Sequence, residues 1–168
     1  IPYGDIIPFS NRGPGARGDG GPDLAADGAD AAGAYPINYS SDGTHSIITW
    51  GGTSRSTPVA SGAMALVYQA FHQRVGRWPS WEEARGILMG GARFAGYDVF
   101  TAGAGVLDAA DAVRIAAGLG GIYAQPDSWS AGNYQGRSHA AFANLVRPGE
   151  TVKTRVTLRN PSDQPVTV

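Results

Sequence analysis

Between Gly52 and Gly62 the chain runs Gly52-Thr53-Ser54-Arg55-Ser56-Thr57-Pro58-Val59-Ala60-Ser61-Gly62, a serine set between a glycine turn and a proline-led series of small and apolar residues. Proline fits the first turn of a helix, because its missing N–H is one of the donors a helix start leaves unpaired and its fixed φ is already helical. The pattern predicts a helix over 57–75. Ala60, Ala63, Met64, Val67, Tyr68 and Phe71 recur at helical spacing, and Gly76 can end it. Gly62 and Ala65 keep its girth small, as suits a helix buried at the centre of an α/β domain. Ser54 then stands in the turn entering the helix, beside unpaired N–H groups and the positive end of the helix dipole. Gly51 and Gly52 permit a sharp turn and the close approach of another backbone. A hydroxyl placed so can act as a nucleophile, with the same N–H groups stabilising an oxyanion; the competing role is a simple helix cap.

The match is longer than a cap requires. Gly52-Thr53-Ser54 with Pro58 and the small-residue helix resembles the nucleophile motif of the subtilisin-like serine peptidases. Three more segments are similar to that family in the same order: Phe9-Ser10-Asn11-Arg12-Gly13-Pro14, Pro22-Asp23-Leu24-Ala25-Ala26-Asp27-Gly28, and Gly103-Ala104-Gly105-Val106-Leu107-Asp108-Ala109. The resemblance implies an α/β fold, the C-terminal part of a parallel-sheet, three-layer catalytic domain. It implies a serine endopeptidase that acts on polypeptides through an acyl-enzyme on Ser54. The Ser54 N–H and an asparagine side chain would be the oxyanion donors, supported by the Thr53 hydroxyl. Gly51 and Gly52 would let substrate backbone pass, and Trp50 would either contact residues around the scissile bond or pack as a strand-end aromatic. The alternative reading is a subtilisin-like domain without catalysis, kept as a scaffold or binding module.

The family order is Asp, His, then Ser. The resemblance therefore places the aspartate, the histidine and the oxyanion asparagine upstream, in a missing N-terminal half of the same catalytic domain. His45 stands only nine residues before Ser54, in Asp42-Gly43-Thr44-His45, and is expected at a strand edge rather than in catalysis. His72 and His139 are expected to be solvated. Arg55 departs from the Met or Ala more usual after the nucleophile, and a guanidinium there needs a carboxylate or carbonyl partner. Asp27 stands where the family has Pro. No cofactor is required; calcium is a possible structural ion, to which Asp23 or Asp42 could contribute, although Asp23 reads more simply as satisfying turn backbone. The resemblance also implies a secreted or cell-surface protein.

Composition narrows the field. A net charge of −1 and a pI near 6.3 give no electrostatic case for nucleic acid or an anionic membrane. Cysteine is absent, which removes disulfides and a thiol nucleophile. The most apolar stretch, 59–71, is too short and interrupted to be a transmembrane segment.

The remaining elements are read from pattern. A hairpin is expected between 37–39 and 46–50, turning at Ser41-Asp42-Gly43. A second helix starts at Ser80, capped with Glu83 and facing inward with Trp81, Ala84 and Leu88. Trp78 is a packing residue. A third follows Asp108, with Ala110, Val113 and Ala117 inside and Gly118 at its end. Residues 1–120 thus form the catalytic part and 121–144 a linker or covering loop. Residues 145–168 begin a fibronectin- or immunoglobulin-like β-sandwich, with Val152, Thr154, Val156 and Leu158 on one strand face, a turn at Asn160-Pro161, and a return from Val166. Arg17-Gly18-Asp19 matches an integrin-type tripeptide but carries little weight at three residues.

Overall fold

The computed structural model describes residues 5–14, 21–39, 43, 46–127 and 148–167. Strands β1 (Ala31–Ala34) and β2 (Ile47–Trp50) form an antiparallel pair with Ala31 opposite Trp50 and Ala34 opposite Ile47. Helices follow: α1 (Thr53–Val75), α2 (Trp81–Gly90), the single turn α3 (Val99–Ala102) and α4 (Ala109–Ala116). A second antiparallel pair joins β3 (Tyr123–Gln125) to β4 (Thr157–Arg159). Helices with small antiparallel sheets are compatible with part of an α/β domain. The expected parallel sheet is represented among the described residues by one parallel bridge, Ala25 to Val106.

The core is where three helices meet. Ala63, Val67 and Phe71 of α1 pack with Ala84, Ile87 and Leu88 of α2, Ala112, Ile115 and Ala116 of α4, and Tyr123 of β3. Val67 and Ile87 are fully buried, each contributing about 1.5–3 kcal/mol by leaving water. Gly90 and Gly91 make this packing possible. A Cβ on Gly90 would stand 2.6 Å from the Ile122 carbonyl oxygen, and one on Gly91 2.5 Å from the Ala112 nitrogen.

Several expectations are corrected. The hairpin uses Ala31–Ala34, whereas Ile37–Tyr39 forms a 3-10 turn after Pro36, closed by Tyr39 N–H donating to the Pro36 carbonyl at 2.9 Å. The sequence Ala-Ala-Gly-Ala has no strand signal of its own; β2 recruits it. Helix α1 begins at Thr53, so Pro58 lies inside it and removes the donor that would reach the Ser54 carbonyl. Gly62 and Ala65 face outward. Trp81 opens α2 and is exposed, because helical side chains lean toward the N-terminus and its ring projects past the core; Ile87 takes the inner position instead. In α4 the inner stripe is Ala112, Ile115 and Ala116, since nearly every residue of that helix is apolar and packing against Gly91 selects the face.

Toward the C-terminus, Tyr123 lies in the stretch expected as a linker, yet it is buried and paired with Arg159. Strand β4 is three residues long, with Val156 and Leu158 exposed. The turn after it forms, with Asn160 Oδ1 accepting from the Ser162 N–H at 2.9 Å and Asn160 Nδ2 donating to the Gln164 carbonyl. Residues 166 and 167 are not in a strand, so the described residues build no sandwich. The caps at Ser80, Asp108, Gly76 and Gly118 stand as the sequence indicates; Asp98, capping α3, was not anticipated.

Candidate active site

The chain reaches Ser54 through Trp50-Gly51-Gly52 at the end of β2. Gly52 is the N-cap of α1 with φ 143°, a conformation open to glycine and few other residues, and it makes no side-chain cap. Its N–H donates to the Gly28 carbonyl at 2.6 Å, while its own carbonyl accepts from the Arg55 N–H at 2.9 Å. The N–H groups of Thr53 and Ser54 have no acceptor among the described residues, so both remain available where the helix dipole is positive.

Hydroxyls of the motif are sorted by what they bond. Ser56 Oγ donates to the Ala26 carbonyl at 3.0 Å, Thr57 Oγ1 to the Thr53 carbonyl at 3.1 Å, and Ser61 Oγ to the Thr57 carbonyl at 3.0 Å. Ser54 is exposed and its Oγ has no hydrogen-bond partner among the described residues. The structure therefore places Ser54, Thr53, Gly52, Gly51 and Trp50 together at one helix entrance.

Two neighbours were not singled out for this place by their sequence. A Cβ on Gly28 would run into Ser56 Oγ and stand 2.9 Å from the Gly52 carbonyl oxygen, so position 28 can lie beneath the Ser54 turn only as glycine. On Gly33 of β1 a Cβ would meet Trp50 Nε1 at 2.8 Å and Arg55 Nη1 at 2.9 Å. Gly28 closes the second family-like segment, which marks the position but not its contact, and Gly33 lies in a Gly-rich stretch that offers no signal to separate it from ordinary loop glycines.

Arg55 lies over the Trp50 ring, its guanidinium carbon 5.8 Å from the ring centroid. The expected carboxylate or carbonyl partner is not found among the described residues, and both Arg55 Nε and Trp50 Nε1 are buried without an acceptor.

His72 is the histidine that the described residues contain, and it does not belong to this site. It stands eighteen positions along α1 from Ser54, about 27 Å at the helical rise. Rather than being freely solvated, it stacks on Trp78 with centroids 4.2 Å apart, and its Nδ1 is buried. His45, Asp42 and His139 lie outside the described residues, as does Arg17-Gly18-Asp19. Asp23 pairs with a side chain: its carboxylate accepts from Arg85 Nη2 at 2.6 Å rather than from a turn N–H among the described residues. Arg85 also donates to Asp127 at 2.8 Å, and the pairing with Asp23 holds its proton more firmly than usual. Among the described residues no group of His, Cys, Asp and Glu could hold a metal ion. A cavity of about 310 Å³ lined by residues such as Arg93, Asp108, Asp111 and Arg114 contains none of the Ser54 motif.

The four sequence motifs prove to be physically connected. Gly13 N–H donates to the Phe100 carbonyl at 2.8 Å, bringing the first motif to α3. The second motif pairs with the last: Ala104 N–H to the Asp23 carbonyl at 2.9 Å, Ala25 N–H to Gly105 at 2.8 Å, and Leu107 N–H to Ala25 at 2.7 Å. The other end of the second motif, through Ala26 and Gly28, holds the Ser54 turn. No described helix is long and apolar enough to cross a membrane.

No curated protein matches the chain in sequence. The peptidase S8 model, described as the subtilase family, matches residues 1–118. That match covers most of the chain and includes all four motifs and the Ser54 turn: the chain belongs to the subtilase family.

Proposed function

We propose that this chain carries the nucleophile of a serine endopeptidase, and that Ser54 is that nucleophile. The observation that carries the reading is the exposed, unbonded Ser54 hydroxyl next to two unspent backbone N–H groups at the start of a 23-residue helix. Membership of a protease family supports polypeptide as the substrate. Ser54 Oγ would bond to the carbonyl carbon of a peptide as its proton passes to a histidine, and the carbonyl oxygen would become an anion held by the Ser54 N–H. The C–N bond then breaks, the amine leaves with the proton, and water hydrolyses the ester by the reverse sequence. The histidine, the aspartate that orients it and an asparagine as second oxyanion donor are assigned to the upstream part of the protein. Nothing in this sequence of steps needs a cofactor. The protein is assigned to the cell exterior on the same family grounds.

A fluorophosphonate probe tests this in the full-length protein. It should label Ser54, and Ser54→Ala should abolish labelling while the far-UV CD spectrum stays unchanged, since one exposed oxygen is removed. Labelling retained in Ser54→Ala would refute the assignment. The second reading, a subtilase scaffold without catalysis, is favoured by Arg55, a half-buried cation directly after Ser54 whose Nε has no hydrogen-bond partner. It is supported if the folded full-length protein takes no label.

A further inference from the structure

We infer that Arg55, walled by Trp50, is a specificity-determining residue that selects polypeptides with a carboxylate side chain beside the bond that Ser54 cleaves. The inference rests on Ser54 being the nucleophile and adds the substrate class. Arg55 follows Ser54 directly on the first turn of α1. The described residues half-bury two arginines, Arg55 and Arg85. Arg85 is held between the carboxylates of Asp23 and Asp127. Arg55 has an aromatic face and no acceptor among the described residues: its carbon lies 5.8 Å from the Trp50 centroid, and its Nε and the indole Nε1 are buried without hydrogen bonds.

Gly33 explains how the arm is held. Trp50 Nε1 and Arg55 Nη1 each come within 3 Å of the place a side chain on Gly33 would occupy, so the bare glycine of β1 seats both groups. The stem of the arginine is thus fixed between α1 and the hairpin, with neither Nη hydrogen-bonded within the described residues. A half-buried guanidinium lacking a counter-charge is unfavourable in the free protein and is relieved by an anion that presents two oxygens to its fork. A pre-placed arm also loses little side-chain entropy on binding. Glutamate or aspartate in an extended substrate supplies that anion, and a lysine in the same position is repelled.

The test compares kcat/KM of the full-length protein on matched peptides that carry Glu, Gln or Lys at each of the positions flanking the scissile bond. At one position Glu should be preferred over Gln by about tenfold, and Lys should be cut least. Arg55→Glu should reverse the order in favour of Lys, and Arg55→Met should level Glu with Gln. Equal rates for Glu and Gln in the unmodified protein overturn the inference whether or not a variant folds. An acidic preference that persists in folded Arg55→Glu overturns it too. Fluorophosphonate labelling of the same unmodified preparation separates the two readings. Label on Ser54 without acidic preference removes only the role of Arg55, whereas absence of both label and cleavage removes the nucleophile assignment and this inference with it.

Discussion

At Ser54 the decisive contacts are made by its neighbours. Ser56 is tied to the Ala26 carbonyl and Gly52 to the Gly28 carbonyl, so two bonds fasten the helix entrance to one loop. Gly28→Ala should therefore be the most damaging small change near the site. Its methyl group would approach the Gly52 carbonyl oxygen to 2.9 Å, a backbone atom that cannot swing aside. Probe labelling of the full-length protein should fall at least tenfold, by the sensitivity of reacting groups to shifts of about 1 Å, with a loss of about 1–3 kcal/mol in stability. Unchanged labelling would show that the 26–28 loop is not what positions Ser54. Ser56→Ala, which removes one neutral hydrogen bond, should cost about 1 kcal/mol and keep the label.

Among the elements, α2 shows how local chemistry sets a helix start. Ser80 Oγ accepts from the Glu83 N–H at 3.2 Å and Glu83 returns the bond to the Ser80 N–H at 2.9 Å. Glu83 is also gripped at both oxygens by Arg77, at 2.8 Å each. The Arg77 hydrogen bonds, followed by the Ser80 N–H, hold the Glu83 carboxyl down at about 2, against 4.5 for a free glutamate. A folded-state value below the unfolded one means that the contribution is complete above about 4.5 and is lost as pH falls toward 2. Glu83→Gln should lower Tm at neutral pH and narrow its difference from the parent chain as pH falls through that window. A Tm difference independent of pH would exclude the linkage. Ser80→Ala should cost about 1 kcal/mol at neutral pH through the lost cap.

For the whole molecule, the core and the site are unequally equipped. Three helices and β3 close a hydrophobic centre, and Arg74 fastens it to the C-terminal segment by donating to the Ala116 carbonyl at 2.8 Å and the Pro161 carbonyl at 3.0 Å. Around Ser54 the described residues offer a hydroxyl and N–H donors with no base. The 168-residue chain assayed alone should hydrolyse peptides no faster than its Ser54→Ala form, because a serine without its histidine keeps only a small residual rate. Serine-dependent turnover would contradict this. Apolar side chains also remain uncovered, with Ile47 63% and Phe94 79% exposed and Val59 and Leu66 on the outer side of α1. The chain alone should accordingly bind a hydrophobic dye such as ANS and melt broadly. A sharp melt of a monomer that binds no dye would refute that.

Sequence by itself determined whatever rests on residue chemistry within a few positions. The Ser80–Glu83 box, the aspartate cap at Asp108, the glycine stops at Gly76 and Gly118 and the buried stripe of α1 follow from local bonding or helical periodicity, and the Ser54 motif is read from its contiguous resemblance to the family. Tertiary structure decided matters in which several local choices are nearly equal in energy. Pro58 is compatible with either the first turn or the sixth position of a helix whose start is held from outside by Gly28. The apolar α4 could bury more than one face until Gly91 met Ala112. Ala31–Ala34 became a strand because β2 lay beside it, and β4 paired with Tyr123–Gln125 rather than with the residues after its own turn. The site divides the same way. The proposed nucleophile Ser54 is legible because its motif is contiguous, whereas the contacts of Gly28 beneath it and of Gly33 beneath Arg55 are made with backbone and side-chain atoms that are distant in sequence and reach them only in the folded chain.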